Sequence, residues 1–469
     1  MKTVYLFISL LVSTISFGQQ MESVLDNAFK AFESDSQFKH ATISLYVVDS
    51  KTGNVVFDKN AQVGLAPASC LKVVTSVSAF EMLGKDYRYK TEFGYSGALE
   101  SNTLNGHFFV IASGDPTLGS WRWEATKMDT VQQKLLAALK QKNVKTITGD
   151  LIMDESKWET GATPGGWTWE DIGNYYGAGA RGLNWHENQY DLILKPGKNA
   201  GDSVDIIATD PELQVSVMVN ELKTGKAGSG DNSIIHLPED GLIGYVRGTV
   251  PAGNKTFIVS GSMPNASISL AAEIEKYFRN NDIILTGKSK TSVLYFLNKE
   301  KLPVAAKTLM AHFSPPLDSI NYWFLQKSIN LYGEAIIKTI AYEKTGFGST
   351  DSGIHIIKNF WSKKGIEKSA LHIIDGSGLS PANRVTTHAL VTVMQYAKQK
   401  NWYSSFYNAL PEQNGIKMKS GSIGGVRSYT GYVTGKSGTE YTFSFIINNY
   451  DGNPGAVREK MWKLLDFLK

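Results

Sequence analysis

The texture of the chain changes twice, and this constrains the fold more than any other feature of the sequence. Residues 21–34, "MESVLDNAFKAFES", place Val24, Leu25, Ala28, Phe29 and Phe32 at helical spacing. "ATISLYVVDSKTGNVVFDKN" follows as two alternating runs around a polar Gly turn, the pattern of a β-hairpin. From about Arg88 short strand-like runs take over ("RYKTEFGYSG", "HFFVIASGD", "QYDLILKP", "KTFIVSGS"), with helical interruptions at "MDTVQQKLLAALKQK" and "ISLAAEIEKYFRN". Within them "LKTGKAGSGDNS" reads as a flexible loop by composition. After residue 300 helical patterns return in "DSINYWFLQK", "NLYGEAIIKTIAYEK" and "GIHIIKNFWSKK". The end is strand-like again ("GIKMKSGS", "SYTGYVTG", "EYTFSFIINN") and closes on the helical pattern "AVREKMWKLLDFLK".

Two ends of one texture around a middle of another predict one α+β domain made from both ends, carrying a large β-rich insertion. The expected divisions are 1–18 as a signal peptide, 19–88 and 299–469 as the two parts of the end-built domain, and 89–298 as the inserted region, in two pieces. In the last helix Val457, Met461, Leu464, Leu465 and Leu468 form one apolar stripe. The strands just before it need a cover, so the stripe is expected to pack on them, leaving at most peripheral membrane contact.

A chain of 469 residues is too long for one ordinary core, and 42% apolar with 20% charged residues is a globular composition. A formal net charge of +4 with no long basic run argues against a nucleic-acid surface. At the N-terminus Lys2, the apolar run Val4 to Val12 and the small residues of Ser16-Phe17-Gly18 read as a secretory signal peptide, with the mature chain starting near Gln19. No cysteine sits at that cleavage point, so no lipid anchor is expected there. Cys70 is the only cysteine, so an internal disulfide is excluded. Export without disulfides fits a periplasm. Cys70 itself reads as a small buried residue rather than a nucleophile.

The chemistry concentrates at "APASCLKVVTS". Ser69 and Lys72 stand three apart at the head of an apolar helical run, so both side chains face one way. A serine nucleophile needs a base, and the eight histidines offer neither a G-x-S-x-G elbow nor an H-E-x-x-H pair. A lysine one turn away, made neutral by its surroundings, is the other route. A second match, Ser36 and Lys39, lies in a polar connector and is set aside. This chemistry goes with two further elements, Ser-x-Asn and Lys-Ser/Thr-Gly. Ser-x-Asn occurs at Ser319-Ile320-Asn321, which opens a helical run, and at Ser328-Ile329-Asn330, which lies between two such runs and is preferred. Lys-Ser/Thr-Gly occurs at Lys51, Lys223, Lys344, Lys419 and Lys436. Its job requires an edge strand beside the nucleophile: the lysine supplies charge, the hydroxyl binds a terminal carboxylate, the glycine leaves room, and the next N–H serves an oxyanion hole. Only Lys419-Ser420-Gly421-Ser422 lies in a strand-like run with another strand to follow.

With "ASCLK", "SGDPTLG", "KSINLYGEA", "DGSGLSPANRVT" and "KMKSGSIGGVRSYTGYV" in this order, the sequence resembles the class C penicillin-binding proteins, the D-alanyl-D-alanine carboxypeptidase/endopeptidase family. The likeness spans nearly the whole mature chain, including the long insertion between Ser69 and Ser328. It departs at Ile329, where Asp or Asn is usual, at Ser420, where Thr is usual, and at Pro381, where many members have arginine. Arg384, three residues on, reads as a support for its own loop. The resemblance implies a domain of the serine β-lactamase/penicillin-binding transpeptidase type, with an antiparallel sheet and helices. It implies Ser69 as nucleophile, Lys72 as base, Ser328 as proton relay, Asn330 on the substrate backbone and Lys72, Lys419 and Ser420 on the terminal carboxylate, Gly421 as the open position, and the N–H groups of Ser69 and Ser422 as oxyanion hole. The implied substrates are peptidoglycan stem peptides and cross-links, with β-lactams as acylating inhibitors and no metal or organic cofactor. Two alternatives share the motifs: a β-lactamase, and a non-catalytic peptidoglycan-binding or sensor protein.

Overall fold

The computed structural model describes residues 21–214, 217–253 and 255–469; the signal-peptide reading lies outside them. The contacts divide the chain into two units. The first holds residues up to 82, 321–328 and 354–469, and the second holds 83–320 and 329–353.

The first unit is built on α1 (residues 21–33), β1 (Thr42–Asp49), β2 (Val55–Lys59), α2 (Lys72–Met82), α3 (Thr387–Lys398), β3 (Glu412–Gln413), β4 (Ile416–Ile423), β5 (Val426–Thr434), β6 (Glu440–Asn448) and α4 (Pro454–Leu465). The strands form one sheet in the order β2-β1-β6-β5-β4-β3, antiparallel throughout. Its middle is the pairing of β1 with β6, in register from Thr42↔Asn448 to Asp49↔Tyr441. Both chain ends therefore share one sheet.

Alternation along these strands sends one set of side chains to each face. On one face Leu45, Val47, Met418, Tyr429, Phe443 and Phe445 form a core with Leu25, Phe29 and Phe32 of α1. The stripe of Val457, Met461, Leu464, Leu465 and Leu468 is buried in this same core, as expected from its need to cover the strands. α4 starts where the sequence says it can: Pro454 takes the first position, and the Asn453 side chain accepts from the N–H groups of Gly455 and Ala456. The other face carries α3, tied down where Ser44 Oγ meets Thr387 Oγ1 at 2.7 Å and where Tyr432 OH donates to Met394 O at 2.7 Å. α2 is buried on every side from Lys72 to Phe80, which is why its sequence is apolar or small all round rather than striped.

The second unit has a five-stranded sheet in the order Ser289–Thr291, Leu151–Asp154, Phe108–Ile111, Lys90–Tyr95, Lys307–Phe313. The helices Met128–Gln141 and Ala266–Asn280 close its core through Leu135, Leu139, Leu270 and Ile274. Two three-stranded sheets share a smaller core around Leu192, Leu222 and Val246. Here one expectation is corrected. The stretch 222–233, expected to be a flexible loop throughout, is a loop only at 226–231; it begins in the end of strand Val217–Gly225 and finishes in the start of strand Asn232–His236. Lys223 and Thr224 pair in parallel with Thr249 and Val250, Thr224 N donates to Asp202 O, and Thr224 Oγ1 accepts from Gly197 N. Long-range pairing overrides a composition that favours turns. Among the described residues no helix is long and apolar enough to cross a membrane.

Candidate active site

The peptide leading to Ser69 is forced into an unusual turn. Ala68 has φ +45°, the left-handed region that side chains disfavour, and Ala68–Leu71 make a single 3₁₀ turn before α2 begins at Lys72. Strands β4 and β5 hold this turn in place at one point each. The Cys70 thiol donates to Lys419 O at 3.1 Å, and Ser428 Oγ, from β5, donates to Pro67 O at 2.6 Å. Burial pushes the Cys70 thiol above its ordinary range, so Cys70 is a packing and anchoring residue, as its sequence context suggested. Between those points Gly421 passes so close that a Cβ there would lie 2.4 Å from Ser428 Oγ, 2.6 Å from Pro67 O and 2.7 Å from Ser69 N. No other residue fits.

Lys72 is fully buried, and its Nζ lies 3.0 Å from Ser69 Oγ. It donates to Ser377 O at 2.7 Å and sits over the Phe324 ring, 5.8 Å from its centre. The Ser377 carbonyl is aimed by the loop that carries it. Asp375, fully buried, accepts from Gly378 N at 2.7 Å, Ser380 N at 2.6 Å and Asn383 Nδ2 at 3.0 Å. Gly378 has φ +82°, and a Cβ on it would come within 1.9 Å of Ala68 O. Thr75, one turn above Lys72, donates to Gly376 O at 2.7 Å. α2 thus grips this loop twice, three residues apart on one face. In the same loop Arg384 donates to Pro381 O and to Asn383 O, supporting its own turn as expected.

Of the five Lys-Ser/Thr-Gly triplets, Lys51 and Lys436 occupy exposed hairpin turns, Lys344 ends the helix Asn330–Thr345, and Lys223 lies on a strand of the second unit. Lys419 is the one on the strand against the Ser69 turn. Its side chain is buried, its Nζ donates to Ser420 O at 2.7 Å, and burial, helped by Arg427, pushes its pKa down to about 8, against an opposing pull from Cys70. The outer edge of β4 is covered by β3 only at Ile416 and Lys417, and Met418 N donates outward to Pro411 O. Antiparallel alternation then points the main-chain groups of Ser420 and Ser422 outward too, where among the described residues no strand pairs with them.

Ser328 sits between the helices Leu317–Gln326 and Asn330–Thr345, half-buried and held at φ +58°, a conformation that costs of order 1–3 kcal/mol and concentrates at functional positions. Asn330 begins the second of these helices, in the second unit, where its Nδ2 donates to Tyr176 O at 2.7 Å. Ser319 lies inside the first helix, which already starts at Leu317. The structure therefore gathers Ser69, Lys72, Lys419, Ser420 and Gly421 around one turn and one strand end. Exposed Ser422 is the next residue on that strand, opposite Arg427. Sequence reasoning passed over Asp375 and the Ser377 carbonyl. The Asp-Gly-Ser-Gly cluster was the available signal, since an Asp followed by glycines is suited to collecting backbone N–H groups. Among the described residues no group of three or more His, Cys, Asp or Glu is placed to hold a metal.

This is the fold of the penicillin-binding transpeptidase and serine β-lactamase type. The family model of D-Ala-D-Ala carboxypeptidase 3 (S13) matches residues 25–413 and 411–467, and the chain belongs to that family of hydrolases. It is 25% identical over 461 residues to a D-alanyl-D-alanine carboxypeptidase of Actinomadura sp. (strain R39), covering 92% of this chain and 82% of the relative. It is 24% identical over 435 residues to the D-alanyl-D-alanine carboxypeptidase DacB of Haemophilus influenzae, covering 88% and 86%. The crystal structure of penicillin binding protein 4 from H. influenzae superimposes with a TM-score of 0.77 at 22% identity, over 91% of this chain and 95% of that one. That protein has also been solved in complex with a β-lactam.

Proposed function

We propose that this enzyme cleaves the D-alanyl-D-alanine bond of peptidoglycan stem peptides and cross-links through an acyl-serine intermediate at Ser69, and that β-lactams acylate the same oxygen. The observation that carries the proposal is the 3.0 Å approach of Lys72 Nζ to Ser69 Oγ, with the amine buried and held by Ser377 O. Burial disfavours the ammonium and so favours the neutral amine that can accept a proton. Ser69 Oγ bonds to the penultimate D-alanine carbonyl carbon as its proton passes to Lys72. The N–H groups of Ser69 and Ser422 stabilise the oxyanion. The C–N bond breaks, and the leaving amine takes a proton relayed by Ser328. Asn330 holds the substrate backbone, and Lys419 and Ser420 hold the terminal carboxylate, with Gly421 leaving space. Water then hydrolyses the ester, giving the shortened peptide and regenerating Ser69. The chain works outside the cytoplasm, in the periplasm, exported by the segment 1–18.

The test is direct. Ser69→Ala should abolish covalent labelling by a fluorescent penicillin while the thermal unfolding transition is kept. Mass analysis of digested intact peptidoglycan should show loss of terminal D-alanine, and of cross-links if endopeptidase action is included. Labelling that persists in Ser69→Ala would overturn the assignment. Fast release of bound penicillin would favour the β-lactamase reading instead.

A further inference from the structure

Ser420 has a neighbour that the motif does not predict. β3 and β4 are joined by Asn414-Gly415, with φ +51° and +65°, the two positive angles of a type I′ turn. That turn fixes the pairing of Gln413 with Ile416 and of Glu412 with Lys417. Asn414 Nδ2 donates to Asp466 Oδ1 at 2.8 Å and ties the turn to the chain beyond α4. Gln413 is thereby held, and its Nε2 donates to Ser420 Oγ at 3.0 Å. A serine hydroxyl has three staggered rotamers with little to choose between them, whereas a β-branched threonine is stiff at χ1. Among the described residues Gln413 is the one side chain that bonds the Ser420 hydroxyl at the open edge of β4.

We infer that Gln413 is a positioning residue for carboxylate recognition. By donating to Ser420 Oγ it uses one lone pair, selects one rotamer, and leaves the hydroxyl hydrogen free to donate to the terminal carboxylate of the substrate. The inference rests on the proposed role of Ser420 and extends it to the group that sets its geometry. A tight hairpin, locked by Asn-Gly, then does for this serine what a methyl branch does for a threonine.

The experiment compares kcat/KM for one D-Ala-D-Ala peptide as the free acid and as its C-terminal amide. Gln413→Ala should lower the acid-to-amide ratio about three- to tenfold, chiefly through KM, the size expected for one hydrogen bond. Gln413→Glu, which keeps the shape but removes the donor, should lower it as well. Adding Ser420→Thr to Gln413→Ala should restore the ratio to within about twofold, because the two changes act on one rotamer. An unmoved ratio, equal losses on both peptides, or no rescue by threonine would overturn the inference. Failure of the unsubstituted enzyme both to cleave the acid and to be acylated by benzylpenicillin would sink the proposed function and this inference with it. An active parent with an unmoved ratio sinks this inference alone.

Discussion

Lys72 Nζ and the carbonyl oxygen of Ser377 lie 2.7 Å apart, so a buried amine on a central helix is anchored by a main-chain atom contributed from far along the sequence. A carbonyl can only accept. It helps fix where the amine points without supplying a proton of its own, and another direction of the amine faces Ser69 Oγ at 3.0 Å.

Asp375 is the origin of that aim. Asp375→Ala leaves the N–H groups of Gly378 and Ser380 and the Asn383 amide without the partners they have at 2.6–3.0 Å. Stability should fall by about 3 kcal/mol or more, since buried bonds to a charged acceptor are worth about 1.5–3 kcal/mol each. Penicillin acylation should slow at least tenfold in the fraction that stays folded. A melting curve and a stopped-flow acylation trace check both, and a parent-like rate would show that the loop does not set the lysine.

Gly421 should tolerate no side chain. In Gly421→Ala the new Cβ meets two backbone atoms and one hydroxyl, all inside 3.0 Å, so β4 must move off the Ser69 turn. Overpacking of this kind costs about 1–3 kcal/mol, yet the larger effect should be on acylation, down on the order of 10²-fold as the N–H groups proposed as oxyanion donors separate. Measuring the acylation rate against the midpoint of thermal unfolding separates the two. A variant that loses stability but keeps its rate would remove Gly421 from the site.

Lys419 should give the enzyme a high-pH limit. Its pKa is pushed down to about 8, so its charge is present below that value and lost as pH rises through it. kcat/KM for a carboxylate-terminated peptide should fall above about pH 8, and Lys419→Arg, which stays charged, should lose that limb whatever its absolute activity. Lys419→Ala should cost roughly 10²–10³-fold. Lys436→Ala, in the exposed turn between β5 and β6, should shift stability by less than about 0.5 kcal/mol and leave turnover alone. Identical profiles for the two alanine variants would overturn the choice of triplet.

Asp115, in "SGDPTLG", should make stability depend on acid. Burial raises its carboxyl to about 6, against an ordinary 3.8, although Thr117 donates to Oδ1 twice, and among the described residues Oδ2 has no hydrogen-bond partner. Folded Asp115 therefore binds more protons than unfolded Asp115 between those values, and stability falls as pH rises from about 4 to 6. Asp115→Asn should flatten that part of the curve, by on the order of 1–3 kcal/mol across the window. Denaturant titrations at pH 4, 5, 6 and 7 give the comparison; a parallel slope in both proteins would rule it out.

What could be seen in the sequence was whatever local pattern determines. Alternation placed β4, β5 and β6, helical spacing placed α1 and the stripe of α4, and a serine and lysine three apart at a helix start ended up 3.0 Å apart. What could not be seen depended on partners remote in the chain. The anchor of Lys72 is a carbonyl, and a carbonyl has no residue-type signature. The strand through Lys223 and Thr224 exists because Thr249 and Val250 lie beside it. Gln413 was within reach of sequence reasoning, since Asn-Gly between strand-like residues is a strong hairpin signal, but its bond to Ser420 needed the register as well.

The pairing of β1 with β6 also sets a clock. Ser50 Oγ and Thr442 Oγ1 touch at 2.7 Å across 392 residues, and Ala66, just ahead of the Ser69 turn, bonds through its N–H to the Asn448 side chain. Leu45 and Val47 have no core to enter until Phe443 and Phe445 have been made. At about 5–20 residues per second, tens of seconds separate the synthesis of Ser69 from that of the strands that aim it. Until then the chain contains a serine and a lysine without a cutting edge. The fold of a hydrolase of this family is thus completed by β4, β5 and β6, which are made long after the Ser69 turn that they hold.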